Sequence, residues 1–188
     1  PNIEFGPSKK AIAVWSNQGT GDIYYSMWST DALVWTNPLP ISSIQGLDID
    51  PDIAYNWDGK AIAAWVNIDA EGVRKIYYSI FDGNKWSEGK PLVDTYYLKW
   101  AQMPEITFVT EFYGMDAVAI WTDYQGSIPR IYYSTFNGLT WSAPAPIPGQ
   151  SEPALVDFYN YTLTRNGISE FGRVKAVWTT FNEDSWNV

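Results

Sequence analysis

One stretch of this chain occurs twice, and that repeat narrows the folds open to it more than any other feature. Ile76-Tyr77-Tyr78-Ser79-Ile80-Phe81-Asp82-Gly83-Asn84-Lys85-Trp86-Ser87 returns as Ile131-Tyr132-Tyr133-Ser134-Thr135-Phe136-Asn137-Gly138-Leu139-Thr140-Trp141-Ser142. A looser copy starts at Ile23-Tyr24-Tyr25-Ser26. A second shared element precedes each copy: Ala11-Ile12-Ala13-Val14-Trp15, Ala61-Ile62-Ala63-Ala64-Trp65 and Ala117-Val118-Ala119-Ile120-Trp121, with Lys175-Ala176-Val177-Trp178 as a fourth. The tryptophans that end it stand 50, 56 and 57 residues apart. A period of that length belongs to arrays of supersecondary units, each burying its apolar face against the next.

Each unit reads as four short strands. The first follows a proline: Pro51-Asp52-Ile53-Ala54-Tyr55, Pro104-Glu105-Ile106-Thr107-Phe108, Pro153-Ala154-Leu155-Val156 and Pro1-Asn2-Ile3-Glu4-Phe5. Proline is tolerated as the first residue of a strand. The second strand is the Ala/Ile/Val-Trp element, apolar at every position, so both of its faces are expected to be buried. The third is Ile-Tyr-Tyr-Ser-x-Phe, rich in strand formers. The fourth runs from Trp35, Trp86 or Trp141 towards Pro40, Pro91 or Pro146. Asp82-Gly83 and Asn137-Gly138 are hairpin signals between the third and fourth strands. Helical periodicity is lacking, so the expected class is all-β, and four antiparallel strands at this period describe β-propeller blades.

Complete blades are expected at about 1–41, 50–93 and 103–147, with a partial fourth at 153–188, all in one propeller domain or segment. The fourth breaks off where its third strand should start, and three and a half blades cannot close a ring without exposed strand edges. The chain is therefore read as part of a longer propeller, with a ring completed by two copies, or a compact four-bladed form, as the alternatives.

Composition excludes several functions. Net charge is −9 and the pI about 4.3, a poor balance for nucleic acid or anionic membranes. The absence of histidine removes His-dependent triads and most zinc sites. The absence of cysteine removes thiol chemistry. No apolar run approaches the roughly 18 residues of a membrane helix. A start at Pro1, with no signal peptide pattern, is what a mature secreted protein or an excised fragment would show.

The third-to-fourth hairpin resembles the Asp-box of sialidase-like (BNR-repeat) propellers, Ser-x-Asp-x-Gly-x-x-Trp. Ser79, Gly83 and Trp86 match, as do Ser134, Gly138 and Trp141, whereas Phe81 and Phe136 fill the Asp position. In the first unit Ser26 and Trp35 remain, two extra residues intervene and the glycine is gone. In that family the box is a structural turn away from the active site. Sialidase activity is not implied, because the family's arginine triad has no counterpart among Arg74, Arg130, Arg165 and Arg173. The resemblance places ligands at the loops between second and third strands and at the connectors between units.

In those segments Tyr96, Tyr97 and Trp100 form an aromatic cluster, with Tyr124 in the equivalent zone of the third unit. Aromatic rings stack on sugars and anchor protein interfaces, though packing against a neighbouring blade is the simpler role for each. Lys75 and Arg130 occupy equivalent places, where the first unit has Asp22; that irregularity weighs against one lectin pocket per blade. Asp48, Asp50 and Asp52 alternate along one connector and could supply oxygens to calcium, or could be a solvated acidic loop. Asp48, Asp50, Asp69, Glu71 and Asp123 could furnish a carboxylate pair for glycoside hydrolysis, but no catalytic residue is assigned. Asn160-Tyr161-Thr162 is a glycosylation sequon on the first-to-second-strand loop of the fourth unit.

The expected function is non-catalytic binding of a glycan or a protein through loops on one face, outside the cell or on its surface, with no obligatory cofactor. The alternatives are a fragment of a sialidase-like glycoside hydrolase and a structural subunit that assembles by strand pairing at the incomplete fourth blade.

Overall fold

The computed structural model describes residues 1–41, 43–93, 100–109, 115–125 and 128–148, together with the backbone strands 161–166, 173–178, 180–182 and 185–187. Its regular structure is almost all antiparallel β. One 3-10 turn, Pro7–Lys9, interrupts it. Among the described residues no helix is long and apolar enough to cross a membrane.

Three sheets follow one another along the chain. The first holds β1 (Asn2–Phe5), β2 (Ala11–Ser16), β3 (Ile23–Ser29) and β4 (Val34–Trp35) in chain order, with β5 (Leu39–Pro40) also paired to β3. The second is β6 (Leu47–Tyr55), β7 (Ala61–Ile68), β8 (Arg74–Phe81) and β9 (Lys90–Pro91). The third is β10 (Gln102–Phe108), β11 (Asp116–Gln125), β12 (Ile128–Asn137) and β13 (Ala145–Pro146). Two further hairpins pair β14 (Tyr161–Asn166) with β15 (Arg173–Trp178) and β16 (Thr180–Asn182) with β17 (Ser185–Asn187).

Residues directly opposite on adjacent strands share a face of the sheet. The register therefore defines a leading and a trailing face for each sheet. Ile53, Tyr55, Ala61, Ala63, Trp65 and Phe81 lie on the leading face of the second sheet and pack with Ile12, Val14, Ile23, Tyr25 and Met27 of the first. Ile106, Phe108, Ala117, Ala119, Trp121 and Phe136 repeat this in the third sheet, against Ala54, Ile62, Ala64, Val66 and Ile76 of the second. The β7 strand lies between two other sheets, and every residue from Ala61 to Asn67 is buried. Its alanines keep the stack close where larger side chains would overpack it.

The expected prolines sit differently. Strands β6 and β10 begin before Pro51 and Pro104, and their pairing shifts register between Ile49 and Asp52 and between Gln102 and Glu105. A proline has no N–H for the ladder, and a bulge removes the need for one. Asp50 and Met103, just before the prolines, take left-handed φ of 51° and 45°.

The fourth strand is not continuous. In the second sheet a single bridge joins Phe81 to Trp86, and β9 follows after a gap. Side-chain bonds reinforce the sparse ladder there, beside the backbone bond from Ser87 N to the Ile80 carbonyl at 2.8 Å. Ser79 Oγ donates to the Ser87 carbonyl at 2.7 Å, and Ser87 Oγ accepts from Ile80 N at 3.0 Å. Ser134, Ser142 and Thr135 N repeat this at 2.8 and 3.1 Å. In the first sheet Thr36 takes the serine's place, bonded to Ser26 Oγ and Met27 N. The Asp of the expected box is displaced by one residue. Phe81 and Phe136 are buried against Trp86 and Trp141, while Asp82 Oδ1 and Asn137 Oδ1 each accept two N–H groups of the turn.

In the fourth unit the expected strand at 153–158 lies outside the described residues, as does Asn160. The strand paired with β15 is β14, so Tyr161 and Thr162 of the sequon stand in a strand and not in a loop.

Candidate functional site

Polar side chains gather at one end of the sheets, where each second strand turns into the third and each connector arrives. Two seams between sheets are built alike. In the first seam Asp48 of β6, Asn67 of β7 and Lys75 of β8 are register neighbours on one face. Asn67 Nδ2 donates to Asp48 Oδ1 at 2.8 Å and to the Gln45 carbonyl at 3.0 Å. Asp48 N donates to the Gly21 carbonyl of the preceding sheet at 2.8 Å. Gly46 allows the connector to pass so close. Its φ is +117°, and a Cβ there would meet the Ile68 carbonyl oxygen at 2.6 Å.

Asp48 is 1% exposed, and its Oδ2 has no hydrogen-bond partner among the described residues. Burial pushes this carboxyl up to about 6; Asn67 and Trp65 oppose the shift and nearby Asp22 adds to it.

In the second seam the carboxylate has changed strands. Asp123 of β11 takes the place of Asn67, two residues after the repeat tryptophan, and Arg130 lies opposite it where Lys75 lies opposite Asn67. Buried Ala101 precedes β10 where Asp48 stands in the earlier unit. Asp123 is fully buried; its Oδ1 accepts from Tyr124 N at 2.7 Å and Trp100 N at 3.2 Å, and its Oδ2 has no partner among the described residues. Burial lifts it to about 6, against the pull of those two N–H groups. The Tyr132 phenol is raised by burial and by Asp123, with Arg130 acting in the opposite sense.

Trp100 joins the two sides of this seam. Its backbone bonds to Asp123 of the third sheet and forms a parallel bridge with Arg74 of the second. The residue is 55% exposed. It is thus exposed on a main chain tied at both sides, with half-buried Arg74 and Arg130 on the strands that meet at this seam. Such a group could stack on an apolar ring face and present charge to its polar edge.

The other expected residues fall as follows. Tyr96 and Tyr97 lie outside the described residues. Arg130 and Trp100 lie at the second seam and Lys75 at the first, whereas Tyr124 stands on the opposite face of its strand from Asp123. The bulge separates Asp48, Asp50 and Asp52, because it breaks the alternation that would have put them on one face. Asp50 is exposed, whereas Asp52 bridges three sheets: its Oδ1 accepts from Asn2 Nδ2 and its Oδ2 from Ile106 N at 2.7 Å. Burial raises Asp52 to about 7; the N–H groups of Ile106 and Ile53 oppose this, and Glu105 and Glu4 add to it. Among the described residues no three acidic groups converge on a metal-sized site. Asp69 caps its own turn, its Oδ1 accepting from Glu71 N and Val73 N. The seam roles of Asn67 and Arg74 were not anticipated. The signal for Asn67 was present, since Asn17, Asn67 and Asp123 all stand two residues after a repeat tryptophan.

No family model matches this chain, and no curated protein sequence does. Solved structures do resemble it. The Hadza microbial sialidase Hz136 superposes with a TM-score of 0.55 at 14% identity, over 95% of this chain and 45% of that one. The chain thus spans less than half of that sialidase's length. A fucose lectin from Kordia zhangzhouensis, solved in complex with methyl-fucoside, gives 0.44 at 16% identity over 75% of this chain and 94% of that one. A glycosyl hydrolase from Bacteroides ovatus gives 0.38 at 15% identity over 62% and 35%. Only the first likeness is strong enough to use, and at its identity it speaks for the β fold alone.

Proposed function

We propose that this chain is a sector of a β-propeller whose sheets are its blades, and that it binds a glycan, without catalysis, outside the cell or on its surface. The observation that carries this reading is Trp100, an exposed tryptophan held between two sheets beside Arg74 and Asp123. Sugars offer an apolar ring face and a polar rim, and this group matches both. Calcium at Asp48, Asp50 and Asp52 has no place in the proposal, since the bulge keeps those carboxyls apart. The test is a glycan array read with the native chain and Trp100→Ala. Binding to a defined sugar that drops at least about tenfold in the variant supports the reading, as buried or stacked aromatic anchors dominate such contacts. An empty array, or binding indifferent to the substitution, overturns it.

A second reading has one observation in its favour. The Asp123 carboxyl, lifted to about 6, is suited to a general acid, and one fold neighbour is a sialidase. Release of a fluorescent aglycone from aryl glycosides, abolished by Asp123→Asn, would establish it.

A further inference from the structure

The hairpin of the third sheet carries Asn137-Gly138 where that of the second carries Asp82-Gly83, and the two turns are built alike. Asn137 N donates to the Thr140 carbonyl at 3.2 Å, as Asp82 N does to the Lys85 carbonyl at 3.1 Å. Asn137 Oδ1 accepts from Leu139 N at 3.0 Å and Thr140 N at 2.9 Å. Asp82 Oδ1 accepts from Asn84 N and Lys85 N, both at 2.9 Å. The turn thus asks for one oxygen at this place, which an amide or a carboxylate supplies. The rest of the amide is uncommitted: Asn137 is exposed, and its Nδ2 makes no hydrogen bond among the described residues. Gly138 N likewise donates to nothing among the described residues, and Gly138 has no side chain to shield it.

We propose that Asn137 is a self-modification site, at which Gly138 N closes on the Asn137 side chain, ammonia leaves, and water opens the ring to an aspartate that holds the turn as Asp82 does. Gly138 N bonds to Asn137 Cγ, the Cγ–Nδ2 bond breaks, and the amide nitrogen departs as ammonia with the proton that Gly138 N gives up. The two N–H groups on Oδ1 already point at the atom where charge gathers during that attack, which is the arrangement that eases acyl transfer. Water then adds to the cyclic imide. Addition at Cγ breaks the new bond and leaves aspartate on an unchanged main chain. Addition at the main-chain carbonyl carbon of residue 137 leaves isoaspartate, with one more carbon in the main chain. Only the first product keeps both the Oδ1 bonds and the ladder pairing with Asp116. Isoaspartate can re-form the imide, so repeated cycles drain towards aspartate. In the sister turn the N–H groups of Lys85 and Asn84 hold the Asp82 carboxyl below its ordinary value, so this geometry suits the charged acid. Asp116, opposite residue 137 in the ladder, opposes the new charge. The inference is independent of the glycan reading.

The experiment is peptide mapping by mass spectrometry of the 188-residue chain after prolonged incubation in mildly alkaline buffer, native and in urea, with aspartate and isoaspartate told apart by fragmentation. The chain's other Asn-Gly pair, Asn166-Gly167, falls in a separate tryptic peptide because Arg165 precedes it. The expected result is conversion of residue 137 from amide to acid in the native chain. Its ratio of aspartate to isoaspartate should exceed that of the unfolded chain at least about fivefold, which is what one hydrogen bond is worth. Asn137→Asp, made directly, should fold with unchanged circular dichroism and elute from an anion exchanger with the converted native chain. An amide that persists at residue 137 in the native chain overturns the proposal, whether or not the unfolded chain reacts. An equal product ratio in the two states also overturns it, by showing that the turn selects nothing. An Asn137→Asp chain that fails to fold does so as well, because the turn would then not accept the acid.

Discussion

Trp86 of the second sheet packs edge-on against Tyr25 of the first, with ring centroids 5.7 Å apart and planes at 67°. Trp141 and Tyr78 repeat the contact one unit later, at 5.6 Å and 75°. The offset edge-to-face geometry is the one aromatic quadrupoles favour. Since Trp86 also lies 5.3 Å from Phe81 of its own sheet, it ties the hairpin to its unit and the unit to its neighbour.

Trp86→Ala is expected to destabilise the fold by about 3 kcal/mol, the usual range for removing a packed aromatic. A double-mutant cycle with Tyr25→Ala should return a coupling of about 1 kcal/mol. Urea unfolding of the four proteins measures it. Strict additivity would mean that the two rings are neighbours without mutual stabilisation.

Thr36 does in the first sheet what Ser87 and Ser142 do in the others. Thr36→Ser should be nearly silent, whereas Thr36→Val should cost about 1 kcal/mol, because Met27 N loses its acceptor at 2.9 Å. Thermal unfolding of the pair distinguishes a hydrogen-bonding role from a space-filling one.

Asp48 is raised from 3.8 to about 6 in the folded chain, chiefly by burial. The unfolded chain has the ordinary value, so between those two values the folded state binds more proton. The contribution of this group is complete below pH 3.8 and is lost as the pH rises through 6. Asp48→Asn keeps an acceptor for Asn67 and cannot ionise. It should be more stable than the native chain at pH 8, by on the order of 2 kcal/mol, and gain nothing at pH 3.5. Urea midpoints across that range decide it; an equal gap at both ends would show that titration is not involved.

Gly46 and Gly72 both have left-handed φ, but only Gly46 is crowded, by the Ile68 carbonyl; nothing lies within 4 Å of a Cβ at Gly72. Gly72→Ala should cost about 1 kcal/mol in backbone strain. Gly46→Ala should cost about 3 kcal/mol or more, since backbone overlap adds to strain at a connector held by Asn67. Calorimetry of the two variants gives the comparison.

The sequence by itself determined the all-β class, the place of each second and third strand and the hairpins, because those depend on local pattern: runs of Ala, Ile and Val ending in Trp, alternating Tyr, and Asp-Gly or Asn-Gly turns. Through the repeat it also set Lys75 and Arg130 at equivalent places, as the strand register has them. It could not show that Pro51 and Pro104 sit in bulges, so it aligned Asp48, Asp50 and Asp52 on a face they do not share. Nor could it show Thr36 as a stand-in for serine, since the two extra residues hide the match until the hydrogen bonds are drawn. The tertiary structure alone decided which equal residues are buried. Ile3 and Ile53 are the same residue in the same strand position, and one is exposed and the other is not. Burial is a property of what lies against a side chain, and in a stack of like units that is set by the neighbouring sheet and not by the residue's own sequence.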